Sequence, residues 1–458
     1  MKLPLRATLA CLLSLLVSSQ AFALGTGSYS TELISARSLG QGGTGVSGAQ
    51  DDAAAAFTNP AGLTSLKQNM VTVGLSYLNA RPEFTNDPGQ VTYGRATSAV
   101  VPNVAGAWKL MDGRLAVGLA AVMPYGLEIH WNGDSPLRYA ATDARLRIID
   151  VTPAVAYKVS DSFSAGAGLD YYNTILGDLE KKMDTAHVNG NLTFAGGGTV
   201  GQARAASAAS ADANSRLNGT GDGWGYHLGL TFRPNEHHQI GLVYHSAVKI
   251  GLSGNVQLTG LNGAAAGAAV FGGTDYQTDV TAPLFIPQNI QLGWAYMPNE
   301  SWLLEADAAW YDFYSMRQLG VVYPNVTPGS TVDKILQNGN PQLFNGRKTV
   351  NFGLGAEYKQ NDALRWRGGF YYQAASLPES TFDPAFLDLP RYGFTAGTGW
   401  KFAQNFSLDC AYNAIFTHTR HITVAGPADP LGIARDQGYS GYFSSFVSVL
   451  SAAVTYRM

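Results

Sequence analysis

Apolar and polar positions alternate with a period of two through much of the chain. Phe163, Ala165, Ala167, Leu169 and Tyr171 are apolar, and Ser164, Gly166, Gly168 and Asp170 lie between them. Val350, Phe352, Leu354, Ala356 and Tyr358 alternate in the same way with Asn351, Gly353, Gly355 and Glu357. Phe406, Leu408, Cys410, Tyr412, Ala414 and Phe416 form a third such run. Near the end, Phe446, Leu450, Ala452, Val454 and Tyr456 share a phase that Ser448 interrupts. A strand sends successive side chains to opposite faces, so these runs predict strands with one greasy face and one small or polar face.

Six tight connections separate such runs: Met111-Asp112-Gly113, Val159-Ser160-Asp161, Pro234-Asn235-Glu236, Pro298-Asn299-Glu300, Gln360-Asn361-Asp362 and Ala403-Gln404-Asn405. Longer polar stretches lie between these hairpins, for example 184–221, 253–279, 320–345 and 421–437. The first two are rich in Gly, Ala and Ser and read as mobile loops. Six short turns on one side and seven longer loops on the other make thirteen connections and fourteen strands. An even strand number with one-sided loop lengths is the pattern of a bacterial outer-membrane barrel. A soluble sandwich or propeller does not predict one-sided loops. The expected fold is all-β, a fourteen-stranded antiparallel transmembrane barrel with both chain ends on the short-turn, periplasmic side.

Composition and the first residues agree with export. Lys2 and Arg6, an apolar stretch over 9–17 and Ala21-Phe22-Ala23 have the layout of a signal peptide, residues 1–23, with Leu24 the first mature residue. No other stretch approaches the roughly 18 apolar residues of a membrane-spanning helix. Charged residues are 14%, against about 25% in ordinary soluble domains. The net charge of −3 speaks against nucleic-acid partners. Maturation removes Cys11 and leaves Cys410 alone, expected as a small hydrophobe on an outward strand face. The eight Trp residues mostly fall towards strand ends, where interfacial girdles form.

The first defensible strand begins near Met70, which leaves residues 24–67 outside the barrel and assigns 68–458 to it. Asp51 and Asp52 before four alanines read as a short helix with acids at its N-terminus, stopped by Asn59-Pro60. Gly40 to Gly45 spell G-x-G-x-x-G, but no βαβ unit surrounds them, so a dinucleotide site is not indicated. Small residues here suit a compact hatch, backbone packed against backbone inside the lumen.

Arg37-Ser38-Leu39-Gly40, Asp51-Asp52 and the triplet Asn59, Pro60 and Ala61 resemble the N-terminal hatch of the FadL-type outer-membrane transporters. The resemblance continues through Val122 to Leu127, Trp224-Gly225-Tyr226, Val248-Lys249-Ile250 and Trp294 to Trp310. It implies a plugged fourteen-stranded barrel that passes long-chain fatty acids or hydrocarbons. It also implies an inward kink in the third strand, at Pro124, Tyr125 and Gly126, as a lateral gate. Pro removes a ladder N–H and Gly marks a bulge, and a strand end near the rim is the plainer account of the same residues. By the same resemblance, Arg317, Lys181 and Lys182 are candidate carboxylate ligands, and Leu24 and Tyr29 candidate ligand contacts at the mature N-terminus. Solvated loop-base charges are the plain alternative for the three cations.

Nothing calls for a cofactor, a metal or catalysis: His237, His238, His418 and His421 lack a neighbouring nucleophile or metal-type partners. An outer-membrane hydrolase, an open porin and an adhesin are the other readings. The expected surroundings are outer-membrane lipid, lipopolysaccharide and the barrel assembly machinery, with the protein acting as a monomer. The final Tyr456-Arg457-Met458 departs from the usual aromatic terminus of such barrels.

Overall fold

The computed structural model describes residues 33–262 and 267–458. The signal peptide, Leu24 and Tyr29 lie outside the described residues. Short helices α1 (Ala36–Gly40) and α2 (Ala55–Thr58) and a 3-10 turn (Pro60–Ser65) precede the barrel. The strands follow as β1 (Met70–Asn86), β2 (Thr97–Leu110), β3 (Leu115–His130), β4 (Asp143–Lys158), β5 (Phe163–Met183) and β6 (Ala213–Asn235). Next come β7 (His238–His245 and Val248–Thr259), β8 (Tyr276–Ile286 and Asn289–Asn299) and β9 (Trp302–Asp312). The last are β10 (Lys348–Lys359), β11 (Leu364–Gln373), β12 (Arg391–Ala403), β13 (Phe406–Thr417) and β14 (Gly438–Arg457).

Fourteen antiparallel strands close on themselves. The closing seam pairs β1 with β14 from Met70↔Arg457 to Asn86↔Gly441. Closure leaves the first and last strands without a free edge, as a β-structure in lipid requires. The six tight connections fall where the alternation places them, and the seven longer ones share the opposite end. Outward positions carry large apolar groups, including Leu75, Leu292, Leu354, Phe394 and Leu450. Cys410 is in phase with outward Tyr412 and Phe416. Trp131 departs from the girdle: it is buried and donates its indole N–H to the Pro384 carbonyl, 3.2 Å away. Among the described residues no helix is long and apolar enough to span a membrane.

Two expected loops are more ordered than their composition suggests. Helices α3 (Thr185–Ala195) and α4 (Val200–Ala208) fill most of the stretch after β5, and β6 already begins at Ala213. A capping box starts α4, with Thr199 accepting from Gln202 N–H and Gln202 accepting in return. The second stretch shortens because β7 runs on to Thr259. A short helix α5 (Thr331–Leu336) lies in the loop after β9.

Candidate functional site

The site is built where the hatch meets the wall. Asn59 is extended (φ −160°, ψ 102°), as a residue before Pro must be, and its side-chain oxygen accepts from Ala61 N–H at 3.1 Å. Its amide NH2 donates to the carbonyls of Val46 (2.7 Å) and, on β6, Leu230 (3.2 Å). The triplet Asn59, Pro60 and Ala61 therefore ties the hatch to itself and to the wall. Asp52 accepts from Ala54 N–H and from the Ser35 hydroxyl, holding the start of α2.

One sector of the wall grips the hatch through polar groups. Glu305 of β9 accepts from Gln41 (3.3 Å), Thr44 (3.0 Å), Ser47 (2.6 Å) and Gln50 (2.5 Å). Asp307 accepts from the backbone N–H groups of Gly45 (2.8 Å) and Val46 (3.0 Å). Arg37 pairs with Glu357 at 3.0 Å, and Arg367 links Glu357 (2.7 Å) to Asp409 (2.6 Å). Gly42 adopts φ +70°, and a Cβ there would stand 2.5 Å from the Leu354 carbonyl oxygen. The G-x-G-x-x-G string thus serves close backbone approach to the wall.

The sector at β2–β3 is different. Their ladder runs only from Leu110↔Leu115 to Val104↔Ala121. Beyond it, β2 stays paired with β1, while β3 stays paired with β4 through a bulge between Val122 and Tyr125. The next backbone bond to β3 comes from just before β2, where Arg95 N–H donates to the His130 carbonyl at 3.0 Å. Residues 122–129 are all buried, where a regular strand would alternate. The segment therefore turns inward with protein on both faces. Pro124 removes a ladder donor from β3, and Pro102 removes one from β2 beside it. The strand continues to His130, so Pro124, Tyr125 and Gly126 do not mark its end at the rim.

Two cavities flank this segment. One, with about 940 Å³ of open space, lies between the hatch (Ile34, Gly42, Val46, Phe57) and the wall at Pro124, Tyr125, His245 and Asn289. The other, about 730 Å³, is lined mainly by apolar groups such as Leu127, Leu146, Leu217, Leu252 and Leu284, and lies towards the long-loop end. Tyr125 lines the first cavity, and its ring centre lies 6.0 Å from that of Tyr172.

A family model described as outer membrane protein transport protein (OMPP1/FadL/TodX) matches residues 14–458. The chain belongs to this family. The long-chain fatty acid transport protein of Escherichia coli (strain K12) is 25% identical over 423 residues, 86% of this chain and 88% of that one. A Pseudomonas aeruginosa FadL homologue of known structure has a TM-score of 0.76 at 21% identity, covering 95% of this chain and 99% of its own. The toluene transporter TbuX of Ralstonia pickettii gives 0.64 at 21% identity, covering 92% and 97%. These two structures bear on the fold. The OMPP1/FadL/TodX family consists of transport channels rather than enzymes, and this member is an outer-membrane β-barrel that carries hydrophobic compounds.

Within this family member, the candidate cations lie away from both cavities. Arg317 is exposed after β9, its guanidinium 4.5 Å from the Tyr314 ring centre. Lys181 and Lys182 lie within β5, which extends to Met183, and Lys182 donates to Asn214 at 2.6 Å. None of the three is among the described lining residues. Arg145, which does line the apolar cavity, is taken by Asp143 (2.9 Å) and Asp178 (2.6 Å).

A buried cluster on β5–β7 escapes a reading of the sequence alone. Asp170, His227 and His245 bring ligand-type atoms within 4.8 Å of one another. Both His227 nitrogens are committed, to Asp170 (2.7 Å) and to the hatch carbonyl of Ala56 (2.9 Å). The two imidazoles stack at 20°, so their planes do not converge on one ion. The alternating phase puts these residues inward, but only the pairing His227↔His245 brings them together.

Proposed function

We propose that this barrel takes up long-chain fatty acids or similar hydrophobic molecules by passive diffusion with a sideways exit. A hydrophobic solute enters the apolar cavity at the long-loop, extracellular end, passes Leu127 and Tyr125 to the hatch-side cavity, and leaves through the wall between β2 and β3. The observation that carries this reading is the lapse of β2–β3 pairing beside a cavity lined by Pro124 and Tyr125. A greasy solute gains nothing from an aqueous pore, whereas a wall opening delivers it to the hydrocarbon it prefers. In the same reading the short turns and both termini are periplasmic, lipopolysaccharide surrounds the outer rim, the assembly machinery inserts the chain, and it works as a monomer. Residues 24–67 act as the hatch and 68–458 as the barrel.

A second observation favours aromatic or alkane hydrocarbons over fatty acids. The described lining of the hatch-side cavity contains no Lys or Arg, and a carboxylate head group needs a cation when desolvated. Straightening β3 tests the exit. Pro124→Val with Gly126→Ala restores a donor and a regular strand, and is expected to abolish uptake while the heat-modifiable folded barrel still forms. Uptake at the original rate in that double variant refutes the lateral route.

A further inference from the structure

The hatch-side cavity has a polar point in its wall. His245 ends the first segment of β7, is 4% exposed, and lines the cavity. Its Nε2 is buried with no hydrogen-bond partner among the described residues. Such an atom costs free energy unless a ligand satisfies it. The ring is held in place: one neighbour is His227, stacked with centroids 4.9 Å apart, and another is Phe57 of the hatch at 5.1 Å. His227 is fixed in turn by Asp170 and the Ala56 carbonyl. His245 is therefore a preorganised polar group that cannot be satisfied by swinging towards the wall.

Its surroundings select the charge of what it binds. Asn289 lies directly across the ladder from His245, and among the described residues only its amide oxygen is engaged, by Gln291 at 2.8 Å. Asp307 is also in the lining, and its Oδ1 has no partner among the described residues. A carboxylate head would find no Lys or Arg in the described lining to neutralise it. A hydroxyl can donate to an acceptor and accept from an amide at once.

We infer that His245, with Asn289 beside it, anchors the uncharged hydroxyl group of a hydrophobic molecule, a fatty alcohol or a phenol, in the hatch-side cavity. The inference rests on the transport reading of that cavity and narrows its cargo. The apolar body lies against Ile34, Val46 and Phe57 of the hatch, and the hydroxyl replaces the partner that His245 Nε2 lacks.

The test compares radiolabelled 1-dodecanol, dodecane and dodecanoate binding to the full-length protein in lipid nanodiscs, with empty nanodiscs subtracted. Wild type is expected to hold dodecanol about five- to tenfold more tightly than dodecane, and dodecanoate more weakly than dodecanol. His245→Phe keeps the stack and removes the polar atom, so dodecanol falls to the level of dodecane while dodecane itself binds slightly better. His245→Gln restores part of the preference. A dodecanol preference that survives His245→Phe overturns the inference, as does tightest binding of dodecanoate. Wild type that binds alkane and alcohol equally overturns the inference alone. Wild type that binds none of the three overturns the transport reading of the cavity, and the inference with it.

Discussion

The hatch meets β9–β13 and β2–β4 on opposite terms. Against the first sector it makes charged and hydrogen-bonded contacts, with Glu305 alone taking four side-chain donors and Arg37 pairing with Glu357. Against the second it lays Ala53, Ala54, Ala55, Ala56, Phe57, Leu63 and Leu66 on Ala105, Ala107, Ala116, Ala120 and Val122. Hydrogen bonds to a charged group contribute about 1.5–3 kcal/mol each, while contacts among alanines bury little area and fix no direction. On the apolar side the β2–β3 ladder stops at Val104↔Ala121. In the proposed lateral route, a plug fastened on one side and a wall left unpaired on the other would direct passage around the hatch rather than through its removal.

The most disruptive way to break this contrast is to unfasten the polar side. Glu305→Ala leaves Gln41, Thr44, Ser47 and Gln50 without their shared acceptor in a buried site, a loss on the order of 1–3 kcal/mol for each donor left unpaired. The expected outcome is a barrel that still folds but leaks ions at least tenfold faster in planar bilayers. Unchanged conductance would show that the hatch is held by packing alone. A milder intervention acts on the other side. Pro102→Val returns an N–H to β2 beside the break and is expected to slow uptake a few-fold without altering assembly. No change in uptake would mean that β3 alone sets the opening.

The smallest expected effect concerns the rim loop that joins β1 to β2. Asp87 accepts from the Ser440 hydroxyl at 2.5 Å and pairs with His421 at 2.7 Å. The Ser440 hydrogen bond and the His421 contact hold its carboxyl below the usual carboxylate range. A carboxyl depressed in the folded state stabilises above its unfolded pKa, and that support is lost as pH falls through the folded value. Amide protection over 86–90, measured relative to intrinsic exchange at each pH, should therefore fall as pH drops below the usual carboxylate range, and Asp87→Asn should flatten the response. An identical pH profile in the variant would remove Asp87 as the pin beside the β1–β2 corner.

Much of this architecture was legible because strand signals are local. Alternation and turn residues located the fourteen strands, and Pro124 announced a ladder break because a missing N–H is a property of one residue. Pro102 carries the same signal on the neighbouring strand, but a single Pro near a strand start breaks no visible pattern. The helices after β5 were hidden by their Ala, Gly and Ser content, although Thr199 and Gln202 spell a capping box. The footing of the hatch was not legible at all. Glu305, Asp307 and Glu357 look like ordinary lumen-facing acids until the wall curves round to bring them to the hatch. His227 and His245 meet only through strand register, which a sequence does not display.

That footing also sets an order of events. Gln41 bonds to a residue 264 positions further along the chain, and Arg37 to one 320 positions further. The segment synthesised first therefore waits for β9 and β10 before its partners exist, and closing such a loop carries an entropic cost that slows the step. Seating the hatch belongs to the last stage of assembly, close to the moment when β14 meets β1.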